Sequence, residues 1–151
     1  MGLQVVALSD KHVRELELAV SRALSQWLPG DLPEPKTVVD ALEKVLLFLR
    51  QNGSPTNQSR HVASLAFAWG QQLVRSGGFS WKSVSDDAGV NPSIVSADGA
   101  RACMVVDAVT AMVMDAQPRS LGSLFRALQE GELPPDVHGC VRLESEKDLD
   151  A

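Results

Sequence analysis

The chain has 151 residues, 44% of them apolar and 22% charged, which is long enough to bury a core without metal or disulfide staples and excludes fibrous, low-complexity and disulfide-framework classes. Its net charge of −5 is uneven: after residue 129, seven acids (Glu130, Glu132, Asp136, Glu144, Glu146, Asp148, Asp150) outweigh two bases (Arg142, Lys147), while residues 1–129 balance twelve against twelve. A neutral body with an acidic tail is a poor match for phosphate backbones, so a nucleic-acid partner is not expected.

The first eight residues are apolar but lack the basic start and cleavage-like end of a signal peptide. Met1-Gly2 does not begin a myristoylation motif, because Val6 stands where Ser or Thr is needed. Apolar runs elsewhere, such as 103–106, are far below the ~20 residues of a membrane span. A cytoplasmic protein without a membrane partner is the expectation.

The spacing of Val13, Leu16, Val20, Leu24 and Trp27 predicts a helix over residues 10–27, with Ser9 as its N-cap and Pro29-Gly30 as its end. A proline-rich loop follows. Val38, Leu42, Val45, Leu46 and Leu49 predict a second helix over 35–51, started by Pro35 in the first turn and stopped at Asn52-Gly53. Either amphipathic helix offers a face for pairing across a two-fold axis, so a homodimer is one expectation.

A third helix is expected over 56–76. Val62, Leu65, Ala66, Trp69 and Leu73 form one stripe, and Ala63, Phe67, Gly70 and Val74 form a second beside it. Apolar residues around so much of the circumference imply a central helix, covered on more than one side. Gly70 costs ~1 kcal/mol relative to alanine in a helix interior, which points to the close approach of another backbone.

Gly77-Gly78 ends the helical period. Short segments rich in aromatic and β-branched residues then predict strands over 79–84, 90–97 and 101–106, with Phe79 and Trp81 on one face and Lys82 on the other. Asp86-Asp87-Ala88-Gly89 reads as a loop, and Asp98-Gly99 as a two-residue hairpin turn. The simplest sheet is a three-stranded antiparallel meander, covered by the third helix. Asp107 is placed to cap a fourth helix over 108–116; residues 101–106 are alternatively this helix's first turns. A fifth helix is expected over 118–129. Helices and strands kept apart in this way imply an α+β domain over 1–131. Residues 132–151 read as an acidic, disordered tail.

Catalytic and metal-binding patterns are missing. His12, His61 and His138 stand on separate segments; His138-Gly139-Cys140 is at most half of a zinc site, which needs three or four ligands. Asp86, Asp87 and Asn91 surround Gly89 without the spacing of a calcium loop. No nucleophile elbow, phosphate loop or dinucleotide fingerprint occurs. No cofactor and no metal are expected. Cys103 and Cys140 read as two reduced thiols, one in a strand and one in the tail, with a redox pair as the sharper alternative.

The pattern Ala66, Trp69-Gly70, Leu73, Gly78-Phe79-x-Trp81-x-x-Val84, Gly89 and Val95 resembles a bacterial family of small α+β domains of unknown function. The resemblance covers about residues 60–130 and implies a glycine-bearing helix, a Trp-bearing strand, a hairpin and a further helix. Such domains resemble immunity or accessory proteins of bacterial competition systems. The resemblance implies no catalytic residues.

These readings make a non-enzymatic protein-binding domain the leading expectation, with binding residues Trp81, Asp86, Asp87, Asp98 and Arg101 and a protein as partner. The alternatives are a small enzyme or ligand-binding domain, with its pocket between the third helix and the sheet near Trp81 and Arg101, and a structural homo-oligomer subunit.

Overall fold

Three helices form where their apolar spacing places them: α1 (Asp10–Trp27), α2 (Pro35–Gln51) and α3 (Pro55–Ser76). The computed structural model describes residues 4–28, 30–51, 55–86, 89–114, 120–132 and 139–143. Ser9 caps α1 as its residue type requires, its Oγ accepting the His12 backbone N–H at 3.2 Å. Leu16, Val20, Ala23 and Leu24 face inward from α1, and Val38, Val39, Leu42, Leu46 and Leu49 from α2.

Helix α3 is the hub. Val62, Leu65, Ala66, Ala68, Trp69 and Leu73 are buried in one continuous core. The helix touches α1, α2, the later helices α4 (Val105–Val113) and α5 (Leu121–Gln129), and two strands of the sheet. The Trp69 indole N–H donates to the Leu121 carbonyl at 3.1 Å, which ties α3 to the first residue of α5. Gln72, though fully buried, satisfies its amide locally by donating to the Ala68 carbonyl at 2.9 Å.

The chain is α+β, as its element order implies, but the sheet is larger than a three-stranded meander. Among the described residues, five antiparallel strands lie in the order β1 (Gln4–Ala7), β2 (Phe79–Asp86), β3 (Gly89–Ser96), β4 (Arg101–Met104) and β5 (Cys140–Arg142). The predicted three correspond to β2, β3 and β4. The first of the additions, β1, pairs with β2 in the register Val5 to Val84. The second, β5, pairs with β4 in the register Cys103 to Cys140 and lies inside the segment read as a disordered tail.

Each face of the sheet follows the two-residue period of its strands. Phe79, Trp81, Ile94, Cys103 and Cys140 pack with the main core under the helices. Val84, Val95, Ala102 and Met104 form a second, smaller cluster, joined by Val141 and Leu143. Lys82 alternates with Trp81 as expected.

Three local expectations need correction. The β3–β4 connection is not a two-residue turn: Ser96 ends β3 and Arg101 begins β4, with Gly99 at φ +74° between them. Asp107 does not cap α4. The helix starts earlier, at Val105, so Asp107 lies in its first turn and Met104 holds the cap position without a side-chain bond. The segment 101–106 is thus divided between strand and helix. Gly70 admits a side chain rather than a backbone, since the atom nearest to a Cβ built there belongs to Trp81.

Polar side chains fix the helices at their ends, where backbone groups lack partners. Ser120 and Ser123 form a reciprocal capping box at the start of α5, and the Gly122 N–H there donates to Glu43 Oε1 at 3.1 Å from α2. At the other end of α4, the Arg50 guanidinium donates two hydrogen bonds to the Met112 carbonyl, at 2.6 and 3.1 Å.

Candidate functional site

The residues expected to bind a partner do not converge, and most of them serve the fold. Trp81 is half-buried: its ring meets Phe67 edge-on, with centroids 6.2 Å apart, and its indole N–H donates to Gln71 Oε1 at 2.8 Å. The space between α3 and the sheet at Trp81 is filled by this ring, Gly70 and Val105. Arg101 lies along the same edge of the core, its guanidinium 5.5 Å from the centre of the Phe79 ring. It donates to the Leu128 carbonyl at 3.0 Å and to the Glu132 carbonyl at 3.4 Å, thereby closing the C-terminal end of α5 onto the sheet.

Asp98 belongs to the β3–β4 turn. Its Oδ1 accepts from the Ser96 hydroxyl and from the Ala100 backbone N–H, and Ser96 Oγ in turn accepts from the Arg101 N–H at 3.1 Å. The Ser96 hydrogen bond, then that from Ala100, holds the Asp98 carboxyl below its ordinary value of 3.8. Such a carboxylate is committed to the turn. Asp86 ends β2, where its backbone pairs with Gly89; Asp87 lies outside the described residues. His138 also lies outside them. His12 and His61 are exposed on α1 and α3. Among the described residues no group of three or more His, Cys, Asp or Glu side chains could hold a metal ion, and no helix is long and apolar enough to cross a membrane.

An open cleft of about 290 Å³ lies elsewhere, between α1, the loop after it and the C-terminal half of α3. Val20, Leu24, Leu28 and Leu32 give it an apolar wall, and Glu17, Ser21, Ser25, Gln71 and Arg75 give it a polar rim. The loop shapes one side: Arg75 reaches across to donate to the Pro33 carbonyl at 2.9 Å, and also donates to Gln72 Oε1. Gln71 is held at its Oε1 by Trp81. Two of the rim's side chains are therefore positioned by hydrogen bonds within the protein, and Leu32 remains 43% exposed beside buried Leu24. A shaped apolar recess with an ordered polar margin suits an apolar group carried on a polar chain.

Sequence reasoning missed this cleft because its wall is shared among a helix face, a loop and a second helix. Leu32 was the one available signal, an apolar residue inside the proline-rich loop with no helical period to join. The pairing of Cys140 with Cys103 stands in the sequence only as the sharper alternative, because the short strand that carries Cys140 has no pattern of its own.

Compared with known proteins, the chain matches no family model, no curated protein and no solved structure.

Proposed function

We propose that the chain is a non-enzymatic protein-binding domain, and that the cleft between α1 and α3 receives an apolar side chain from a partner polypeptide. The observation that carries this reading is the cleft itself: its wall is apolar, Leu32 stands exposed at its mouth, and Arg75 and Gln71 are engaged in bonds that build the rim. Polar groups poised for chemistry would instead converge on a common point. The family resemblance over residues 60–130 adds a setting, an immunity or accessory factor that acts by contact in the cytoplasm. The acidic C-terminal segment fits a partner with a basic surface, since opposite charge speeds encounter.

A photo-crosslinking side chain placed at Leu32 tests this reading, with a second at exposed Phe48 on α2 as control. In the native host, position 32 is expected to capture one discrete protein, and Ser25→Trp, which fills the cleft, is expected to abolish the capture. Equal labelling from both positions, or capture insensitive to Ser25→Trp, would overturn the proposal. Light scattering distinguishes the homo-oligomer reading, in which the captured protein is a second copy of the chain.

A further inference from the structure

Cys103 and Cys140 face each other across the β4–β5 ladder. The ladder's hydrogen bonds define what kind of pair they are. The Met104 N–H donates to the Gly139 carbonyl at 2.9 Å, and the Leu143 N–H donates to the Ala100 carbonyl at 2.7 Å. Bonded and non-bonded pairs alternate along an antiparallel ladder, so Cys103 and Cys140 occupy a non-hydrogen-bonded pair. Strands approach most closely there, with Cα atoms about 4.5 Å apart, within the range that a disulfide spans. The side chains already point together: the Cys140 S–H donates to Cys103 Sγ at 3.7 Å.

We propose that Cys103 and Cys140 are a modification site, a cross-strand thiol pair that small disulfides oxidise to an internal disulfide, locking β5 onto the sheet. Access assigns the roles. Cys103 is fully buried in the main core, whereas Cys140 is half-buried on an edge strand. Once Cys140 loses its proton, the Cys103 S–H donates to the thiolate. That hydrogen bond, followed by burial and the charges of Cys140 and Asp107, holds the Cys103 thiol well above its ordinary 9.0. Cys140 therefore carries the attacking thiolate.

With glutathione disulfide as oxidant, the Cys140 thiolate attacks one sulfur, the oxidant's S–S bond breaks, and one glutathione thiolate leaves. Cys103 then gives its proton to that thiolate or to water and attacks Cys140 Sγ, expelling the second glutathione thiolate. The protein loses two electrons and two protons, and the oxidant becomes two thiols. The sulfurs close from 3.7 Å to about 2.05 Å without a change of register.

The bond matters because β5 is weakly held. It has three residues, and its register sets Arg142 opposite Arg101, a like-charge pair that disfavours the strand. The crosslink closes the loop from residue 103 to residue 140, which contains α4 and α5. Constraining that loop in the unfolded chain raises Tm by about 10 °C.

The test is equilibration of the reduced full chain with graded ratios of oxidised to reduced glutathione, followed by alkylation and mass spectrometry. The expected product is a monomer lighter by two hydrogen masses, with the Cys103 and Cys140 peptides linked, a raised Tm, and full reversal by dithiothreitol. Cys140→Ser should abolish the crosslink and the Tm shift while keeping the reduced protein's circular dichroism. A mixed disulfide that persists at Cys140, a disulfide between chains, or two alkylatable thiols after oxidant in excess would each overturn the proposal. All of these outcomes are read on the wild-type chain, so a failure of Cys140→Ser to fold does not affect them.

Discussion

A Cβ added to Gly70 would stand 2.7 Å from Cη2 of Trp81 and 3.1 Å from Cγ1 of Val105. The central helix and the first long strand are thus fitted to each other at one point, where the absence of a side chain on α3 makes room for an indole. The ring cannot swing away freely, because its N–H is held by Gln71 and its edge by Phe67.

Gly70→Ala sets two effects against each other. Alanine favours the helix by about 1 kcal/mol, while forcing a methyl group into the Trp81 contact costs about 1–3 kcal/mol. Since the ring is held from two sides, the clash is expected to win, with a net loss of about 1 kcal/mol, read as a lower urea midpoint at unchanged m-value. Trp81→Leu in the Gly70→Ala background should recover part of that loss.

Arg101 is expected to behave as a fastener of α5. Arg101→Met removes the bonds to the Leu128 and Glu132 carbonyls and the stacking on Phe79, for a loss of about 1.5–3 kcal/mol. Arg101→Lys should restore only part of this, because an ammonium lacks the flat face that lies over Phe79. Partner capture from position 32, measured at a temperature where both variants are folded, should be unchanged.

Trp69→Phe removes one hydrogen bond from the hub and leaves a small cavity where the indole is wider than the phenyl ring. Most of the ring's apolar packing is kept, but the buried Leu121 carbonyl loses the indole donor at 3.1 Å. The expected cost is about 1–3 kcal/mol. Hydrogen exchange in the first turn of α5 should quicken more than in α2, since the lost bond holds the start of α5.

Asp98 makes a prediction about pH. Its folded carboxyl lies below the ordinary 3.8, so its stabilising effect is complete above that value and fades as pH falls through the folded one. Wild type should therefore exceed Asp98→Asn in Tm at pH 6, and the gap should narrow below about pH 4 as the wild-type carboxyl protonates. A gap constant from pH 6 to pH 2 would show that the turn does not depend on the charge.

Periodicity made α1, α2 and α3 legible almost to their ends, because each buries a stripe at helical spacing and carries its own cap or breaker: Ser9, Pro35, Gly77. The strands β2, β3 and β4 were legible for a similar reason, as local alternation between glycine-rich breaks. The binding residues were less so. Asp98 and Arg101 are the polar residues that a sequence reader picks out near a turn, and the structure shows both engaged in holding that turn and α5 in place. A side chain's residue type does not reveal whether its hydrogen bonds are already made.

From its own residues, then, the chain determined an α+β order, a buried third helix and a Trp-bearing strand beneath it, since each of these follows from contacts and periods within a few residues. Only the tertiary structure decided that Gln4–Ala7 and Cys140–Arg142 extend the sheet, that a cleft opens between α1 and α3, and that two cysteines far apart in sequence meet. The physical reason is that strands of four and three residues are not stable alone and have no readable period. They exist because β2 and β4 offer unpaired edges, and edges exist only after the rest has folded.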